Sequence, residues 1–95
     1  MEPKPISPEV YVSQPDEATI HNMNIKAWPI WTKEPSTFSW YYEEPETCFF
    51  LEGEVTVKTD KGEVNIRQGD LVTFPRGMKC TWEILRDVKK HYTFS

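Results

Sequence analysis

The chain has 95 residues, a formal net charge of −4 and 14% aromatic residues, four of them Trp. That length makes one domain, whose burial on folding is limited, so large aromatic side chains carry much of its stability. The scattered basic residues and the acidic balance argue against a nucleic-acid binder, and no apolar run is long enough to span a bilayer.

The opening stretch "MEPKPISPEV" has three prolines in its first eight residues and reads as an extended arm. It lacks the apolar core of a secretory signal and is poor in Arg, so the expected location is the cytoplasm. "EVYV" reads as a short edge strand. "SQPDEATIHNM" offers Ser13 as a helix N-cap, with Pro15 and Asp16 in the first turn of a helix of two turns at most. From Ile25 onward the signal is β. In "IKAWPIW", Pro29 removes a ladder donor, which predicts an edge or bulged strand. "TFSWYY" alternates and stops at "EEPE". "TCFFLEGEVTVK" is the longest strand signal, and Gly53 marks a bend or bulge within it. "TDKGE" is a hairpin turn with Gly62 at a positive-φ position. "EVNIR", the turn "QGD", then "LVTF", "KCTWEIL" and "KKHYTF" follow. About eight short strands with regular turns predict an all-β antiparallel barrel or sandwich. The expected organisation is an arm with a short strand and helical turn over 1–24 and a barrel over 25–95.

Side-chain alternation assigns faces. In "KCTWEI", Cys80, Trp82 and Ile84 alternate with Lys79, Thr81 and Glu83, so the thiol and the indole point inward. Phe38, Trp40 and Tyr42 share a face. Glu46, Cys48 and Phe50 share another, opposite Thr47, Phe49 and Leu51, and alternation alone does not say which of these two is interior. Cys48 and Cys80 have no CxxC spacing and are expected as free thiols in a reducing compartment.

"EEPETCFFLEGEV" followed by "RQGDLVTFPRGMKCTW" resembles the two conserved motifs of the cupins. Glu46 and Gly53 carry the six-residue gap of the first motif. Gly69, Pro75 and Gly77 fit the second, with Cys80 at the place of its histidine. The resemblance covers about residues 25–94. The chain is most similar to the small stand-alone cupins grouped with (S)-ureidoglycine aminohydrolase-like proteins, often called cupin-3. It implies an antiparallel jelly-roll barrel with a short N-terminal arm or helical turn. In metal-binding cupins three histidines and one Glu form the site. Here the first-motif histidine positions hold Trp40 and Tyr42, or in the other register Ser39 and Tyr41. Glu46 is kept and Cys80 replaces the last ligand. The resemblance therefore implies no cofactor; a divalent metal, if held at all, would fall to Glu46 and Cys80, with Cys48 as a further thiol.

Three functions remain open. One is a cupin that binds a small polar or aromatic ligand in a pocket walled by Trp40, Tyr42, Glu46, Cys48, Cys80 and Trp82. Within it Glu46 either works as an acid, base or ligand anchor, or hydrogen-bonds a neighbouring phenol or indole. The second is a metal-dependent aminohydrolase-like enzyme with the atypical Glu/Cys set. The third is a structural or interaction module that pairs through exposed strand edges and the Trp28–Trp31 segment, a reading that a barrel filled by Trp40 and Trp82 would favour. The partners this leaves are a small molecule and a second copy of the chain as a homodimer, with no nucleic acid and no membrane. Trp28 and Trp31 are expected to staple the N-terminal strand or line a dimer contact, His21 and His91 to be exposed or structural, and Arg76 to be a solvated rim charge.

Overall fold

In the computed structural model, residues 10–94 are described; the proline-rich arm and Glu9 of "EVYV" lie outside them. Chain order is β1 (Tyr11–Ser13), α1 (Glu17–Asn22), a 3-10 turn (Ile25–Ala27), β2 (Ile30–Lys33), β3 (Thr37–Tyr41), β4 (Glu46–Thr59), β5 (Gly62–Arg67), β6 (Leu71–Phe74) and β7 (Lys79–Phe94). All strand pairs are antiparallel. The sheet order is β1-β6-β4-β7-β2, with β3 added on β7 and β5 on β4. The expected all-β antiparallel jelly roll is the fold that forms.

Three sequence expectations need correction. Ser13 does not cap the helix: its backbone is paired with Leu71 in the β1–β6 ladder. Asp16 is the N-cap, and its carboxylate accepts from Thr19 N at 2.8 Å, satisfying a donor that the first helical turn leaves open. There are seven strands rather than eight among the described residues. "KCTWEIL" and "KKHYTF" are one continuous strand, Lys79–Phe94. "IKAWPIW" turns before Pro29, and only its end enters a strand.

The bulge expected at Gly53 is present. The β4–β7 register shifts between Glu52 and Glu54. Gly53 has φ 109°, and a β-carbon there would lie 2.5 Å from Asp87 O and 2.8 Å from Val88 Cα. Only a residue without a side chain fits so close to the facing backbone. The bulge lets β4 bend between its two halves, which pair with β6 and with β5. The "TDKGE" turn is fixed by Thr59 Oγ1, which accepts from Lys61 N at 3.0 Å and donates to Gly62 O at 3.1 Å.

Of the two alternating sets in "ETCFFL", the interior one is Glu46, Cys48 and Phe50. They join a core of Tyr42, Val55, Val57, Ile66, Val72, Phe74, Met78, Trp82, Ile84 and Val88. Tyr42 lies past the end of β3. It is held there by hydrogen bonds of its N–H to Met78 O and of Gly77 N–H to its own carbonyl. Its ring stacks on Phe74, with centroids 4.8 Å apart and planes 6° from parallel. The buried Asp70 carboxylate accepts from Arg67 N and from Gln14 Nε2, which ties the β5–β6 turn to the N-terminal segment.

Candidate functional site

The most unusual interior residue is a lysine. Lys90 lies on β7 opposite Phe50 of β4, and it is only 4% exposed. A lone ammonium at that depth would be too costly to keep. Here Nζ is 3.4 Å from Glu46 Oε2 and donates to Cys48 Sγ at 3.2 Å. It also faces the rings of Trp82 and Trp31, at 4.6 and 4.8 Å from their centroids. Glu46 is itself 6% exposed. Carboxylate, sulfur and two π faces replace the water the cation lost.

This pair sits at the floor of a cavity of about 230 Å³, lined by Trp31, Phe38, Trp40, Glu46, Trp82, Lys90, Tyr92 and Phe94. Trp31 comes from β2, Phe38 and Trp40 from β3, Glu46 from β4, and the other four from β7. Trp82 is the central wall. It meets Trp31 edge-on and Phe38 nearly face-on, both with centroids 5.9 Å apart. Its Nε1–H donates to Tyr42 Oη at 3.2 Å, which fixes the indole's orientation. Trp40 and Phe94 are half exposed and lie where the cavity opens.

Burial sets the proton chemistry around this floor. The Cys48 thiol is pushed up to about 12 from its usual 9.0, chiefly by loss of solvent; the Lys90 charge opposes the rise and Glu46 adds to it. Burial likewise pushes Cys80 up to about 11. The Tyr42 phenol is driven far above its usual value by burial first and by the Glu46 charge second. All three stay protonated at neutral pH, so none of them supplies a resting anion.

Of the six residues expected to wall a pocket, Trp40, Glu46 and Trp82 line the cavity. Tyr42, Cys48 and Cys80 do not: they are packed in the core behind that wall. Tyr42 braces Trp82, Cys48 contacts Lys90, and Cys80 is paired in register with Trp40 on β3. Among the described residues no group of three or more His, Cys, Asp or Glu side chains comes together as metal donors. The Glu/Cys set therefore does not fit a metal centre. Trp31 packs β2 against the core through Trp82 and also lines the cavity. The ring of His91 is buried, with Nδ1 2.9 Å from Trp28 O, while His21 is exposed on α1. Arg76 is exposed on the β6–β7 turn.

Lys90 was not among the residues the sequence pointed to, because a lysine in a strand ordinarily faces water. A signal was present. Val88, Lys90 and Tyr92 alternate on β7, so a buried Val88 carries Lys90 inward. Phe38 was placed on the Trp40 face, but Tyr92 and Phe94 were not singled out.

The profile of a family described as the EutQ-like cupin domain matches residues 22–92. A crystal structure of a DUF861 family protein from Thermotoga maritima is 45% identical in sequence, with a TM-score of 0.89 over 92% of this chain and 100% of that one. The EutQ protein of Clostridium difficile is 20% identical, with a TM-score of 0.64 over 68% of this chain and 52% of that one, and shares the fold. A DUF861 family protein from Pseudomonas syringae pv. tomato, of unknown function, is 25% identical, with a TM-score of 0.64 over 70% of this chain and 29% of that one. Among curated proteins none matches.

Proposed function

The chain belongs to the EutQ-like cupin domain family, and from that premise we propose that it binds a small neutral ligand, aromatic or polar, in its barrel without a metal. We place it with the small ureidoglycine aminohydrolase-like cupins whose metal-binding histidines have been replaced, here by Trp40 and Tyr42 and by Cys80. One observation carries the reading: the ammonium of Lys90 lies against both Glu46 and Cys48. The interior cation is the protein's own. A metal held by Glu46 would have to displace a buried ion pair, and among the described residues no group of three or more His, Cys, Asp or Glu side chains would receive it.

The cavity is apolar on its walls and carries one carboxylate and one ammonium at its floor. The two charges cancel, so a charged ligand would meet a like charge as well as an opposite one. A neutral ring that stacks on indole and offers a donor or an acceptor at one edge meets no such conflict. Size supports the same class. An apolar cavity of about 150 Å³ accepts benzene, so 230 Å³ accommodates a ring with a short polar substituent. The reading as a structural module filled by its own aromatics loses support, because Trp40 and Trp82 border open space rather than fill it.

Two buried free thiols fit a reducing cytoplasm. Among the described residues no helix is long and apolar enough to cross a membrane. The partners we propose are a small molecule and a second copy of the chain. The test is a titration of intrinsic Trp fluorescence with a panel of substituted single-ring compounds, in the wild type and in Trp40→Ala. Saturable quenching by neutral rings, weakened in the variant, supports the reading. A flat response to the whole panel overturns it.

A further inference from the structure

Lys90 brings a primary amine to the floor of an apolar cavity and sets it beside a carboxylate. Nothing in an ion pair requires either member to line a cavity, yet both do. Two of the three Nζ donor directions are taken by Glu46 and Cys48. A lysine amine is a carbonyl nucleophile once its nitrogen pair is free, and the Glu46 carboxylate lies beside Nζ, where it can take the proton.

We infer that Lys90 is a carbonyl-binding amine: the cavity takes a small aldehyde or ketone carried on an apolar or aromatic ring, and Lys90 Nζ holds it as a reversible imine, with Glu46 carrying protons. This deepens the ligand-binding reading above and rests on it.

The step balances within the site. Glu46 takes a proton from the ammonium, which cancels both charges in a poorly solvated setting and frees the nitrogen lone pair. That pair attacks the carbonyl carbon, and the C=O π electrons move to oxygen. Glu46 gives its proton to the oxygen and accepts one from the nitrogen, leaving a carbinolamine. It then protonates the hydroxyl, which departs as water while the nitrogen pair forms the C=N bond. One ammonium and one carbonyl compound become one protonated imine and one water, with no electrons gained or lost. The product cation occupies the position of the starting one, against the Glu46 carboxylate and the faces of Trp31 and Trp82. The cage that holds the ammonium therefore also holds the imine. Cys48, the other nucleophile within reach, is kept as a thiol by burial and does not compete.

The test uses the full-length untagged protein at neutral pH with benzaldehyde and sodium cyanoborohydride, followed by peptide mass mapping. Benzyl alcohol, which has the same ring and no carbonyl, is titrated in parallel by Trp fluorescence. The expected result is a benzyl adduct at Lys90 that forms roughly tenfold or more faster than at the exposed Lys58 or Lys79. In Glu46→Gln, confirmed folded by circular dichroism, Lys90 labelling slows by roughly tenfold or more relative to Lys58 labelling in the same sample. Benzyl alcohol binding with Lys90 labelled no faster than Lys58 overturns the imine and leaves the binding reading standing. Absence of both binding and Lys90 labelling overturns the two together.

Discussion

Replacing Lys90 by Met should expose how much the fold depends on its internal ion pair. The substitution keeps most of the side chain's length and its contact with the Trp31 and Trp82 rings, but it removes the charge. Glu46, 6% exposed, is then a buried carboxylate whose ammonium at 3.4 Å has gone. Breaking one side of a buried pair costs about 3–5 kcal/mol. A domain of this size has a total stability of about 5–15 kcal/mol, so the loss is about a fifth of it or more. Removing both charges with Glu46→Leu and Lys90→Met is different. Exchange of a whole buried pair for apolar side chains of similar volume costs about 1 kcal/mol or less, and at times stabilises. The double variant should therefore be more stable than Lys90→Met alone by about 2–4 kcal/mol, and Glu46→Leu alone, measured to close the cycle, gives the coupling, well above that of independent sites. Urea unfolding measures it, as shifts of midpoint at unchanged m-value. A loss below about 1 kcal/mol in Lys90→Met, with strict additivity in the double variant, would refute the description of Lys90 as a caged cation dependent on Glu46.

Further outcomes follow from other parts of the barrel. Gly53→Ala should lower the melting temperature markedly, since its methyl would meet Asp87 O at 2.5 Å in a backbone at φ 109°; a wild-type melt would contradict the close approach described for the bulge. Tyr42→Phe removes the acceptor of the buried Trp82 N–H and should cost about 1–3 kcal/mol by chemical unfolding, with a change in the near-UV signal of the indole. Trp40→Ala, at a half-exposed position, should change stability by no more than about 0.5 kcal/mol while weakening ring binding. Stability should fall as pH rises above 9.0, where the thiols ionise in the unfolded chain but not in the folded one, and go on falling toward about 11 for Cys80 and about 12 for Cys48. The Cys48→Ala, Cys80→Ala variant should flatten that decline, as unfolding midpoints across the alkaline range would show.

Much of this architecture is legible in the residues. Alternation in "KCTWEI" placed Cys80 and Trp82 inside, the glycines marked the bulge and the hairpin, and the two-motif spacing carried the barrel. What was not legible has physical reasons. In "ETCFFL" both alternating sets contain apolar residues, so period two alone leaves the inward face open; pairing with β6 and β7 decides it. Tyr42 shares its face with Trp40 by parity, but the strand ends between them, and the backbone turns Tyr42 into the core. Cys80 points inward as expected yet stops short of the cavity, because inward in a filled barrel is not the same as toward open space. Lys90 escaped notice because its chemistry reads as surface. Only the aromatic cage and the Glu46 carboxylate, drawn from three strands, make the interior tolerable for it.

The central claim is that the barrel's interior cation is Lys90 and that its ligand site works without a metal. Elemental analysis of untagged protein tests it most directly, after incubation with zinc, manganese and iron and exhaustive dialysis, alongside Glu46→Gln and Cys80→Ala. The account predicts far less than one metal per chain in all three proteins. A stoichiometric metal in the wild type that is lost in both variants would contradict it and assign the site to Glu46 and Cys80.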